Sequence, residues 1–161
     1  MSDIKRNNGF TIVELLIVIV VIAILAAIGI VAYNGIQERA KIISVNSSLS
    51  QINKAIKSYH ATNGVYPDSP SWSIQYDGNK DTFIPSLVPG TINSLPQPPQ
   101  IATNPRLYYR SNGAEYKLVY LYPSGESIPN SVTSNGSVSS LIDPARPTRG
   151  WGYWTSGGAS Y

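Results

Sequence analysis

Few side chains in this sequence have types and spacings that could do chemistry, and one stands apart. Glu14 lies near the start of an apolar run, with eighteen uncharged and almost wholly apolar residues following it over 15–32. A carboxylate there needs a counter-charge or a route to water, because an ion at a bilayer centre costs about 3 kcal/mol. Physics alone leaves two readings open: a tolerated charge at the interface, or a functional one.

Other candidates are weaker. His60 is the only histidine, and no cysteine is present to share a metal. A structural role is therefore expected for it. The stretch DGNKD over 77–81 spaces oxygen ligands that could hold calcium, but it lacks the length and closing glutamate of an EF-hand loop. A plain turn is expected. No serine stands in G-x-S-x-G, and no glycine-rich loop joins a strand to a helix. No metal, no cofactor and no enzymatic activity are expected. The eleven tyrosines suit packing with wetted hydroxyls more than an adhesive face.

The elements that must position Glu14 follow from periodicity. With residues 10–12, the apolar run makes about 30 Å of helix, enough to span a bilayer. A secretory signal peptide would have a shorter apolar stretch and a turn-prone mature start. Here the pattern continues helically: Ile42, Val45, Leu49, Ile52, Ile56 and Tyr59 recur at spacings of three and four, forming one apolar stripe. Proline is absent from 10–62, and Asn63-Gly64 offers a left-handed stop before Pro67. One helix is expected, half in lipid and half in water. Its stripe is too short for a sustained coiled coil and is expected to pack on the chain's own sheet.

Residues 67–105, including SLPQPPQIATNP, read as a long connecting loop. In RLYYRSNGAEYKLVYLYPSGE, Asn112-Gly113 separates two runs of β-formers, a hairpin with Tyr116, Leu118, Tyr120 and Tyr122 on one face. A serine-, asparagine- and glycine-rich segment follows, and WGYWT near position 151 reads as a closing strand. The fold class is α+β: a long N-terminal helix on a small antiparallel sheet. The net charge of +3 is small and scattered, so nucleic acid is not an expected partner. Lys5 and Arg6 before the apolar run match Arg39 and Lys41 after it, so charge does not orient the segment.

The polar, basic leader MSDIKRNN, then GFTIVELL, then an uninterrupted apolar helix resemble the class III signal of type IV pilins and pseudopilins. ATNGVYPDS after the helix is similar to the family's usual exit. The resemblance implies a pilin-like lollipop with a cleaved leader at 1–9, a transmembrane and assembly half-helix at 10–33, a soluble half-helix at 34–63 and a C-terminal globular region at 64–161. It implies that a prepilin peptidase cuts between Gly9 and Phe10 and methylates the new amine of Phe10. Glycine suits such a cut, since a bare backbone enters a narrow site. It further implies a single-pass precursor in the cytoplasmic membrane with its leader inside, then a place in a surface filament. Its partners would be lipid, an inner-membrane assembly platform and other copies of the subunit. Removing the leader takes away Lys5, Arg6 and Asp3, so the net charge falls from +3 to +2.

The family's pairing of an incoming amine with a neighbour's glutamate would make Glu14 an assembly residue. Two departures stand out. Val31 occupies the place where proline is common, and no disulfide can close the C-terminal region. A pseudopilin of a secretion or DNA-uptake machine and a solitary membrane-anchored binding domain are the alternatives.

Overall fold

The computed structural model describes residues 10–75, 81–99, 106–128 and 141–161. The chain divides into two compact units, Met1–Glu38 and Arg39–Tyr161. Helix α1 covers Ile12–Asn63, as the proline-free run predicts. It stops where expected: Gly64 takes φ +74° and its N–H donates to the His60 carbonyl at 2.8 Å. The Thr62 and Asn63 side chains satisfy the Ser58 and Tyr59 carbonyls, so the last turn leaves few acceptors unpaired.

In the second unit, residues of α1 pack on a four-stranded antiparallel sheet of β1 (Ser69–Ile74), β2 (Arg106–Ser111), β3 (Tyr116–Leu121) and β4 (Gly150–Trp154), in that order. The stripe is intramolecular. Ile42, Val45, Leu49, Ile52 and Ile56 are buried, and Tyr59 packs half-buried against the same core. They meet Leu107 and Tyr109 of β2, Tyr116, Leu118 and Tyr120 of β3, and Trp151 of β4. Two polar contacts fix the register of helix on sheet: Tyr116 donates its hydroxyl to Asn53, and the Trp151 indole donates to Asn46 at 2.8 Å. Ile52 is wholly buried, so Ile52→Ala should cost about 2–5 kcal/mol. Denaturant unfolding of the purified chain in detergent checks this, and a loss below 1 kcal/mol would place the stripe outside the core.

The hairpin forms as read. Gly113 takes φ +82°, and the Asn112 side chain accepts from the N–H groups of Ala114 and Glu115 at 3.1 and 2.8 Å, an asparagine turn closing itself. The closing strand is β4. One expectation fails: residues 67–105 are not all loop, because β1 lies within them. β1 contains Pro70, which cannot donate to a central ladder. β1 is an edge strand, paired only with β2, and its register shifts between Ser69 and Ser73, where a missing N–H is tolerated. The rest of that stretch also does more than connect, for Phe83, Ile84, Leu87 and Leu95 are core residues.

Burial pushes the hydroxyls of Tyr109 and Tyr116 well above the usual tyrosine range, Tyr109 also donating to the Pro67 carbonyl at 2.7 Å. Raised folded-state values mean that the unfolded chain loses these protons first as pH rises. Their contribution is whole below about pH 10 and fades above it, at about 1.4 kcal/mol per pH unit for each tyrosine. Stability measured from pH 8 to 11.5 should fall from about pH 10 upward, and Tyr109→Phe should flatten the slope by one tyrosine's worth. An unchanged slope in that variant would show that the hydroxyl titrates freely.

The outer face of β3 is covered by the segments flanking β4, residues 141–149 and 155–161, and the hold is ionic. Lys117 Nζ lies 2.7 Å from Asp143 Oδ1 with both side chains fully buried. The same ammonium donates to the main-chain oxygens of Ala159 and Tyr161 at 2.9 Å each. Its three donors are thereby used. Arg146 donates to the other Asp143 oxygen at 3.2 Å. Gly158 fits because a Cβ there would lie 2.0 Å from the Tyr116 carbonyl oxygen. A chain without cysteine fastens this segment with one buried lysine.

Candidate functional site

The site begins at the start of α1. Thr11 precedes the helix, and its N–H and hydroxyl both donate to Glu14 Oε2, at 2.9 and 2.6 Å. The Glu14 N–H donates back to the Thr11 hydroxyl oxygen at 3.2 Å. This is a reciprocal capping box, in which two side chains three apart satisfy backbone donors that the first helical turn leaves unpaired. It also places a carboxylate at the positive end of the helix dipole. Thr11 is a residue that the sequence reading missed, although the signal, threonine followed three positions later by glutamate before an apolar run, was present in TIVE.

Both donors sit on one carboxylate oxygen. Oε1 carries no hydrogen bond among the described residues and is left to accept from outside the chain. Phe10 is 86% exposed and immediately precedes Thr11, so an amine at Phe10 would stand four residues from Glu14 on the same chain. Gly9, the residue read as the one before the cut, lies outside the described residues.

Beyond the cap, the helix offers apolar side chains on every side. Ile12, Leu15, Ile17, Val20, Ile22, Leu25, Ile28 and Ile30 are each between 47 and 83% exposed. No part of the first unit covers them. A contiguous apolar surface of this extent is not stable in water and marks contact with lipid or with other protein. By length and composition the helix is able to cross a membrane. The backbone is helical through Gly29, Val31 and Gly35.

The remaining sequence candidates take other roles. His60 stacks on Tyr66, ring centroids 4.2 Å apart. Of the DGNKD stretch, residues 77–80 lie outside the described residues. Asp81 uses one carboxylate oxygen to accept from the Ser94 hydroxyl and the Leu95 N–H, at 2.9 and 2.8 Å. It closes a loop. Among the described residues, no group of three or more histidine, aspartate or glutamate side chains is placed to hold a metal ion.

Residues 4–30 match the family model of the prokaryotic N-terminal methylation motif. Over 63 residues, 39% of its length, the chain is 40% identical to the type IV major pilin protein PilA of Myxococcus xanthus (strain DK1622). The match spans 29% of that relative. No solved structure matches the chain significantly. The type IV pilin resemblance carried by GFTIVELL is met by both the motif and the relative.

Proposed function

We propose that this chain, which carries the prokaryotic N-terminal methylation motif, is a structural subunit of a type IV pilus and has no catalytic role. The observation that carries the reading is the coincidence of that motif, at residues 4–30, with a helix start whose glutamate is held ready and whose apolar surface is uncovered on all sides.

The chain enters the cytoplasmic membrane as a single-pass precursor, leader inside, and lipid covers residues 10–33. A prepilin peptidase cuts between Gly9 and Phe10 and methylates the new amine. That amine remains a cation. In the membrane it pairs with Glu14 of a subunit already in the filament, because two half-desolvated opposite charges are far better off together than apart. Thr11 fixes the rotamer of Glu14 by holding Oε2, so the free oxygen is presented without further loss of side-chain entropy. The assembly platform then draws the subunit outward, and the helices of other copies replace lipid on its apolar surface. The pair sets register and selects correctly cut subunits, since an uncut leader offers no amine there.

Two measurements test this. Sequencing the N-terminus of membrane-extracted protein should find Phe10, methylated, as the first residue, and Gly9→Leu should leave the leader on. Met1 or Ser2 as the sole start would overturn the reading in favour of an uncleaved membrane-anchored domain. Shearing cells and analysing the released material by microscopy and mass spectrometry should find long fibres containing this protein. Cut protein confined to the membrane would instead indicate a pseudopilin.

A further inference from the structure

The face of the sheet that points away from α1 is unevenly covered. Along β2 the outward residues are Arg106, Tyr108 and Arg110, which pair with Leu121, Val119 and Lys117 of β3. On β3 all three are buried beneath the segments flanking β4, whereas Tyr108 and Arg110 remain half-exposed. Beside them on β1 is Trp72, half-exposed and edge-on to Tyr108 at 6.2 Å between centroids. The covering segment adds two more groups at this border. Arg146 places its guanidinium 5.4 Å from the Trp72 ring centre, and Tyr161 puts its ring 4.8 Å beneath the guanidinium of Arg110.

Each cation is thus stacked on an aromatic face, which holds its plane and removes part of its hydration. Neither is used up. Arg110 donates Nε to the Pro70 carbonyl at 3.2 Å, and Arg146 donates one terminal nitrogen to Asp143 and, at 3.4 Å, to the Tyr161 main-chain oxygen. The other terminal nitrogens of both carry no bond among the described residues. Arg146 links Trp72 to Tyr161, and Arg110 reaches Tyr161 from the other side, so the groups form one patch. In side-chain charge the patch is positive: buried Lys117 and Arg146 share the carboxylate of Asp143, and Arg110, on the Pro70 carbonyl and the Tyr161 ring, adds a further cation.

We propose that this patch binds an acidic polysaccharide. A planar guanidinium pre-set on a ring accepts a carboxylate in two-point fashion. The axial C–H groups on a pyranose face carry slight positive charge, and the aromatic surface that half-exposed Tyr108 and Trp72 leave open complements them. Two surface cations match a polymer that carries one carboxylate per sugar. A nucleic acid, with its dense phosphates, is held by a long basic track, and among the described residues this face has none. The binding does not rest on filament formation, because the patch belongs to one subunit.

The test uses the full chain, purified in detergent, against immobilised polygalacturonate at physiological salt, with neutral dextran and single-stranded DNA in parallel. Saturable binding to the polyuronate is expected, with none to dextran and weaker binding to DNA. Arg110→Gln should weaken it by about tenfold, the loss of one charge-assisted contact, and Arg110→Lys by less. Trp72→Phe, which keeps a ring, should bind, and Trp72→Ala should not. Lys54→Gln with Lys57→Gln removes charge from the exposed side of α1 and should change nothing. Near-ultraviolet circular dichroism matching wild type confirms that each variant is folded. Equal binding to dextran, tighter binding to DNA, or a loss in the Lys54/Lys57 variant as large as that in Arg110→Gln would each overturn the assignment.

Discussion

Glu14→Gln protein is expected to insert into the membrane, lose its leader after Gly9, and form no filaments. The capping box makes this substitution informative. Glutamine keeps an acceptor oxygen for the Thr11 N–H and hydroxyl, so the helix start survives while the charge disappears. Glu14→Ala removes both. If the carboxylate served only as a cap, glutamine would behave as wild type, and alanine would cost the roughly 0.5–2 kcal/mol of a lost cap. If it pairs with an incoming amine, both variants leave that cation unpaired in lipid. At up to about 3 kcal/mol, subunit incorporation falls by as much as about a hundredfold. Fibre yield from sheared cells, normalised to cut protein in the membrane, is the measurement. Thr11→Val keeps the charge but frees its rotamer, and a partial drop in yield is expected. Abundant fibres made solely of Glu14→Gln protein would refute the pairing.

Lys117→Met should destabilise the second unit by about 3 kcal/mol, because it takes the nearest counter-charge from a fully buried carboxylate, leaving Asp143 only the Arg146 guanidinium at 3.2 Å and the Ala145 N–H at 2.9 Å. In thermal unfolding of the full chain in detergent this is a fall on the order of 10 °C. Part of the effect reaches the covering segment, since the ammonium is also the donor to Ala159 and Tyr161. Limited proteolysis should therefore cut within 141–161 first. Lys54→Met, the same change on the exposed side of α1, should shift stability by less than about 0.5 kcal/mol. A double-mutant cycle with Asp143→Ala should give a coupling above about 1 kcal/mol. A Lys117→Met protein that melts within 2 °C of wild type would mean that Arg146 and the Ala145 N–H suffice for Asp143 and that the lysine is not the clasp.

The sequence by itself determined what depends on local period and local chemistry. An unbroken apolar run and a stripe at three-and-four spacing define α1, and glycine after asparagine ends it, because helix stops act over a single turn. Asn112-Gly113 between alternating β-formers defines the hairpin for the same reason. The methylation motif is likewise local: position alone singled out Glu14, and the resemblance carried by GFTIVELL is what implied roles for Gly9, Phe10 and Glu14. Even the Thr11 cap lay within four residues and was legible. Tertiary structure decided whatever depends on neighbours far along the chain. Whether Pro70 sits in a loop or a strand turns on its strand having only one partner. The loop carrying Phe83 and Ile84 enters the core because space beside the helix must be filled. Lys117 reads in sequence as one more solvated charge on an alternating strand. Only the folding of residues 141–161 across β3, 26 positions later at Asp143, converts it into the buried clasp that a disulfide would otherwise supply.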